Sequence, residues 1–313
     1  GLVAEDVNVG LGSTISGTAT QNTDYTISTS SIVISEGQTS GTRTFSSTED
    51  NIYEGNETAT LTISGIGGGD ASPAVENGNQ QAVVTIVDDE SAPTVTLSTS
   101  ASSIAENSDG TITVTATMSA ADTADVTVAI GTSGTGTEGT DYGTISDITI
   151  SAGNTTGTST FDPTDDSVYE GNETAIIAIT GVSGGSASED GTQSETITIT
   201  ENDSAPTVTL STSASSINEN SGSTLTLTAT LSNATTADVT VSLGTSGTGT
   251  EGTDYGTISD ITISAGATTG TATFDPTDDS VYEGNETAII AITGVTSDGS
   301  ASENGTQSET ITI

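Results

Sequence analysis

Polar and apolar residues alternate with a period of two along most of this chain. In Thr111–Met118, Ile112, Val114, Ala116 and Met118 fall on one face and threonines on the other. Thr94-Val95-Thr96-Leu97 alternates in the same way, and Val126, Val128 and Ile130 share a face in the next run. Ile148 with Ile150, a Gly/Thr-rich run ending at Phe161, the set Ala175, Ile177 and Ile179, and the pair Ile197 and Ile199 complete the series. A period of two marks strands that bury one face. Threonine suits the wet face, because a β-branched side chain fits the pleat and its hydroxyl stays hydrated. Gly, Asn, Asp and Ser clusters separate the runs, and almost nothing reads as helix. About seven short strands spaced in this way predict a two-sheet antiparallel sandwich of immunoglobulin-like shape.

The series repeats. Asp165–Glu173 returns letter for letter at Asp278–Glu286, a period of 113 residues, and once more in altered form at Glu49–Glu57. A period of that length fits whole domains rather than solenoid repeats. The expected units are 1–91, 92–204 and 205–313, with boundaries at Ser91-Ala92-Pro93 and Ser204-Ala205-Pro206. The expected fold is therefore all-β: tandem seven-stranded immunoglobulin-like antiparallel β-sandwiches arranged as a rod. Val7 lines up with Val126, so the first unit starts near its third strand. A sandwich without its first two strands exposes a sheet edge and part of its core. Either the sequence is a window on a longer array, or a neighbouring chain supplies the strands, as in a filament built by inter-subunit strand donation. With no initiating Met and no signal peptide, the first residue is not expected to begin a gene product.

Composition narrows the partners. The chain has 43 acidic residues and one basic residue, Arg43, for a net charge of -42. Nucleic acid and anionic membrane surfaces both need Lys and Arg, so neither is expected as a partner. No apolar run approaches the roughly 18 residues of a membrane helix. Without cysteine there is no disulfide and no thiolate metal site. Without His, Cys or Lys the common nucleophile–base pairs are missing, so no enzyme is expected. High acidity also keeps proteins soluble in strong salt. Solubility alone does not explain why acids gather in the same loop of every unit.

That loop carries four carboxylates in nine residues, Asp165, Asp166, Glu170 and Glu173, with no Lys or Arg. Three other acidic groups flank it in the second unit: Glu106 after Ile104-Ala105, Asp141 before Tyr142, and Glu201-Asn202-Asp203 after the last strand. In a seven-stranded sandwich these segments meet at one tip, next to the following unit. One Asp-rich loop would read as a solvated turn; spacing held across three units points to a hard cation. Calcium takes 6–8 oxygens from carboxylates, amides and carbonyls, whereas magnesium keeps its waters and wants few protein ligands. Zinc and copper are disfavoured without His or Cys. No EF-hand loop occurs, and Gly67-Gly68-Gly69-Asp70 only superficially resembles a glycine-rich calcium array. Tyr169, Tyr282 and Tyr53, each inside an acidic loop, are expected to be buried corner tyrosines.

Taken together, Ile104-Ala105-Glu106-Asn107, Thr140-Asp141-Tyr142, Asp165-Asp166, Glu170-Gly171-Asn172-Glu173 and Glu201-Asn202-Asp203 resemble the Calx-β domain, a calcium-binding sandwich, and the likeness runs through three consecutive copies. The resemblance implies calcium ligands Glu106, Asp141, Asp165, Asp166, Glu170, Glu173, Glu201 and Asp203 in the second unit, with the Val168 carbonyl contributing. In the third it implies Glu219, Asp254, Asp278, Asp279, Glu283 and Glu286. In the first it implies Asp24, Glu49, Asp50, Glu54, Glu57, Asp88, Asp89 and Glu90. The third unit lacks a counterpart of the acidic end, and the first lacks a counterpart of Glu106.

The expected function is a calcium-rigidified spacer in the stalk of an extracellular adhesin or a surface or matrix fibre, bacterial by resemblance. Its partners would be calcium ions, neighbouring repeats and other copies in a fibre. The alternative is a calcium-sensing regulatory module, which would bind far more tightly than the near-millimolar range of extracellular modules.

Overall fold

The structure is a computed structural model and describes residues 2–12, 16–68, 74–297 and 301–313. Gly69 and Asp70 lie outside the described residues. All of the predicted strand runs of the second unit form. Thr94–Thr99, Ile112–Met118 and Thr156–Phe161 make one sheet, in which the middle strand is antiparallel to both neighbours. Val126–Gly134, Ile148–Ile150, Glu173–Ser183 and Ser194–Thr200 make the facing sheet. Between the sheets lie Val95, Ile112, Val114, Val126, Ile148, Phe161, Ile177 and Ile197, all but sealed from water. The third unit repeats this core with Val208, Leu227, Val241, Ile261, Phe274 and Ile290. Valine and isoleucine, not aromatics, do most of the filling, as the composition requires.

One short strand forms that the period-two pattern does not mark. Ser103–Ala105 leaves the sheet of Thr94–Thr99 and pairs in parallel with Thr198–Thr200 of the other sheet. The chain thus switches layers, and the switch delivers Glu106 to the end of the last strand. In the third unit the matching Ser216 keeps a single parallel bridge to Thr312, and a short 3-10 helix, Glu219–Ser221, follows it, closed by Gly222 in the left-handed region at φ 59°.

The tyrosine expectation is overturned. The buried tyrosines are Tyr25, Tyr142 and Tyr255, each 1% exposed, which stack on Phe45, Phe161 and Phe274 at 4.7, 4.9 and 5.0 Å. Tyr53 and Tyr169 are half-buried and Tyr282 is 97% exposed. The acidic loop does not fold back into its own sandwich; it reaches to the next one. Ile52–Tyr53 pairs in parallel with Ala121–Asp122, and Val168–Tyr169 with Ala234–Thr235. Among the described residues Val281–Tyr282 has no such partner strand, which explains its exposure.

Candidate metal centre

Four segments reach one end of the second sandwich. The N–H of Glu106 donates to the carbonyl of Thr200 at 3.0 Å, so the switch strand is tied to the last strand. Asp141 follows the Val126–Gly134 strand. Gly134 ends that strand at φ 123°, where a Cβ would lie 2.1 Å from the Thr174 carbonyl oxygen. Only glycine lets the Asp141 loop leave this close to the strand that carries Glu173. Gly17 and Gly247 make the same approach in the other units. Tyr142, stacked on Phe161, anchors the loop from the core side. Asp141 is itself buried, and its Oδ2 accepts the N–H of Thr137 at 2.5 Å. One carboxylate oxygen of each of Asp141, Glu170 and Glu173 lies within 4.8 Å of the other two.

The acidic loop is shaped by its own carboxylates. Asp166 Oδ1 accepts the N–H of Val168 at 2.6 Å, and Glu106 Oε1 accepts the N–H of Asp166 at 3.3 Å. Glu201 is a clamp: its Oε2 accepts the N–H groups of Glu170 and Gly171 at 2.7 and 2.9 Å, and its Oε1 that of Asp203 at 2.7 Å. Asn172 answers by accepting the N–H of Glu201 at 3.0 Å. In the first unit Asp88 plays the same part. It accepts from Glu54 at 2.8 Å, from Gly55, and from Glu90 at 3.1 Å, while Asn56 accepts the N–H of Asp88 at 3.1 Å. The ligand set inferred from resemblance consists of carboxylates and one carbonyl, and omits Asn172 and Asn56, which shape the loop. The repeated Glu-Gly-Asn-Glu string was the signal for them.

Electrostatically the cluster is under load. Burial, then the charges of Asp141, Asp166 and Glu201, push Glu170 up to about 7. Burial and the charges of Asp141 and Glu170 do the same to Glu173, again to about 7. Glu106 also reaches about 7 through burial and the charges of Glu201, Asp166 and Glu170, against a lowering hydrogen bond from Asp166. Glu201 goes the other way: burial opposes its ionisation, but backbone donors hold it below the ordinary glutamate value. Asp203 is raised by burial and by Glu201, Asp165 and Asp166, and its Oδ2 is buried with no hydrogen-bond partner. Arg43, the sole basic residue of the chain, donates to the carbonyl of Ser31 at 2.7 Å in the first unit and so does not neutralise this cluster. The cluster therefore holds like charges and an orphaned oxygen in an all-oxygen donor set, and these residues fit a hard divalent cation.

The other units gather the same groups less completely. Asp24, Glu54 and Glu57 come together in the first, where burial and Asp24 raise Glu57 to about 7. They line one cleft of about 280 Å³ with Glu49, Asp50, Asp88, Asp89 and Glu90. In the third, Glu283 joins two groups, one with Glu219 and Asp279 and one with Asp254 and Glu286. Asp278 is exposed and outside both, as its counterpart Asp165 is outside the Asp141 group; Asp165 instead accepts from Asn202 at 3.3 Å. The third unit has no counterpart of the Glu201 clamp among the described residues.

The Calx-beta domain family matches residues 2–90, 88–203 and 201–313. The chain belongs to the Calx-beta domain family, in three tandem copies. No curated protein sequence matches it. Among solved structures, CBD12 from CALX1.2 is similar at 18% identity and TM-score 0.31, over 70% of this chain and 100% of that one. The bacterial integrin-binding protein invasin is similar at 15% identity and TM-score 0.30, over 94% of this chain and 51% of its own. The Yersinia pseudotuberculosis adhesin InvE is similar at 13% identity and TM-score 0.30, over 70% of this chain and 58% of its own. Membership in the Calx-beta family rests on the family match alone, because all three TM-scores are below 0.5. Among the described residues no helix is long and apolar enough to cross a membrane.

Proposed function

We propose that this Calx-beta array is a calcium-stiffened spacer, a stalk segment of an extracellular adhesin or of a bacterial surface or matrix fibre, with units divided at 1–91, 92–204 and 205–313. One observation carries the reading. The loop that assembles Glu170 and Glu173 with Asp141 also pairs, through Val168–Tyr169, with the next unit.

In the second unit the ion would be held by Asp141, Glu170 and Glu173, with Glu106, Asp166 and Asp203 completing the oxygen set. Asp24, Glu54 and Glu57 would hold it in the first. In the third the holders would be Glu219, Asp254, Asp279, Glu283 and Glu286. The bound cation supplies positive charge that lets these carboxylates stay ionised together. Glu201 and Asp88 act differently: they fix the loop backbone from behind. Where the loop is fixed, Ile52–Tyr53 and Val168–Tyr169 are held against Ala121–Asp122 and Ala234–Thr235. Without countercharge the same carboxylates repel, the loop loosens, and the grip on the next unit weakens. Copy number then sets reach, and the ion sets stiffness.

Small-angle scattering of the chain in calcium and in chelator tests this reading. A maximum dimension that is long and sharply defined in calcium and becomes broadly distributed in chelator is expected. Identical profiles in the two buffers would refute the spacer mechanism.

A further inference from the structure

A turn of one design leads into the last strand of each unit. Its sequence is Glu76-Asn77-Gly78-Asn79-Gln80 in the first, Glu189-Asp190-Gly191-Thr192-Gln193 in the second and Glu303-Asn304-Gly305-Thr306-Gln307 in the third. The glutamine closes it each time. Its backbone N–H donates to the glutamate Oε1, at 2.7, 2.6 and 2.5 Å in chain order. Its side-chain Nε2 donates to the carbonyl of the residue before glycine, at 2.6, 2.5 and 2.5 Å. Gly78, Gly191 and Gly305 have φ of 73, 68 and 66°, the left-handed region that glycine enters without steric cost. In the second and third units the turn also holds the other sheet. Leu97 and Leu210 donate their N–H groups to the glutamine Oε1 at 3.3 Å, and Asp190 and Asn304 donate theirs to the carbonyls of Val95 and Val208 at 3.0 Å.

One position of this turn differs in chemistry. Asn77 and Asn304 form the chain's two Asn-Gly pairs, where the second unit has Asp190. Both asparagines and both glycines are exposed. Among the described residues, neither asparagine side chain makes a hydrogen bond within the protein, and neither does the N–H of Gly78 or Gly305. A side-chain amide carbon and the next backbone nitrogen are thus adjacent and unencumbered, and glycine places no Cβ over that nitrogen. Asn56 and Asn172 are the opposite case: each Oδ1 accepts a backbone N–H, from Asp88 and Glu201, and each is followed by glutamate. The corner also accommodates a carboxylate, since Asp190 occupies it with the same glutamine and strand hydrogen bonds.

We propose that Asn304 and Asn77 are modification sites, at which the folded chain converts asparagine to aspartate and isoaspartate with water as the only co-reactant. The Gly305 nitrogen gives up its proton and bonds to Asn304 Cγ; the side-chain nitrogen takes up a proton and leaves as ammonia. Water then opens the five-membered imide. Addition at Cγ breaks the new bond and gives aspartate. Addition at the backbone carbonyl carbon breaks the original peptide bond and gives isoaspartate, with the main chain running through Cβ and Cγ. Either way one amide and one water become one carboxylate and one ammonium ion, and the chain gains a negative charge. The two products differ mechanically. Aspartate keeps the corner as Asp190 does. Isoaspartate lengthens the main chain by one carbon and removes the carbonyl that Gln307 Nε2 grips, which loosens the tie to Val208 and Leu210. No residue of the acidic clusters takes part, so the inference is independent of the cation site.

Timed incubation of the freshly purified chain at pH 8, followed by digestion with a glutamate-specific protease and mass spectrometry, is the test. The exchange of NH2 for OH is expected at Asn77 and Asn304, each giving two products of equal mass that separate by chromatography, with Asn56 and Asn172 unchanged. Conversion rises with pH, because the glycine nitrogen reacts after losing its proton. Gly305→Ala, whose Cβ meets nothing within 4 Å, slows conversion severalfold at Asn304 and leaves Asn77 as it was. Asn304→Asp melts with the parent, as the Asp190 corner implies. Amides that stay intact through an incubation that converts them in the urea-unfolded chain would overturn the proposal. So would conversion of Asn172 as fast as Asn304, or a rate at Asn304 indifferent to Gly305→Ala.

Discussion

Chelation of divalent cation at pH 7.5 lowers the melting temperature of the chain by about 5–8 °C for each site emptied. At free calcium ten times the dissociation constant, one independent site adds about 1.4 kcal/mol. In a domain near 100 residues, 1 kcal/mol corresponds to about 4–6 °C. The shift depends on pH in a way the carboxylates dictate. In the cation-free protein Glu106, Glu170 and Glu173 sit at about 7, above their unfolded value of 4.5. Groups raised on folding stabilise fully below the unfolded value, and that stabilisation is lost as pH rises through the folded one. In chelator, melting temperature therefore climbs as pH falls from 8 to 5. Glu201, lowered on folding, reverses the trend only below its ordinary range. In calcium the curve starts higher and its slope near pH 7 has the same sign but is shallower, because protons taken up there displace part of the ion's contribution. Differential scanning calorimetry across this range should give two curves that converge near pH 5. Curves that stay parallel would mean that ion and protons do not share these groups.

Asp141→Asn has opposite effects in the two buffers. Asp141 lies within the Glu170–Glu173 group and contributes to raising both. Its Oδ2 accepts the N–H of Thr137, and an asparagine oxygen can keep that bond. In chelator at pH 8 the variant removes one of several mutually repelling charges, so its second unit melts higher than the parent. In calcium it loses a charged ligand, and affinity at that site falls by at least about tenfold, or 1.4 kcal/mol. The calcium-dependent span of melting temperature thus shrinks from both ends. Glu195→Gln makes the same charge change on the Ser194–Thr200 strand, outside the acidic groups, and leaves the span as it was. A variant that lowers melting equally in both buffers would make Asp141 a loop-building residue only.

The strands were legible because each buries one face. Ile112, Val114, Ala116 and Met118 alternate in sequence and alternate in burial. Convergence of Asp141, Glu170 and Glu173 was legible too, because identical spacing in several units ties acids to fixed corners of the fold. Three things were not. The Ser103–Ala105 strand pairs in parallel with a distant segment, and three residues carry no period to read. A tyrosine ahead of a strand looks alike whether it enters its own core or reaches for a neighbour, so Tyr169 and Tyr282 were misplaced and Tyr142 and Tyr255, beside Asp141 and Asp254, were overlooked. Last, the letter alone does not show that Glu201 accepts the N–H groups of Glu170, Gly171 and Asp203, since that depends on how the acidic loop meets the end of the last strand.

Calorimetric titration of calcium into the cation-free chain at pH 7, repeated in buffers of different ionisation enthalpy, reads the central claim most directly. The account predicts saturable binding of more than one ion per chain, with a buffer-dependent heat that reports protons leaving Glu106, Glu170 and Glu173. Heats no larger than dilution, or saturable binding with no proton release, would contradict it.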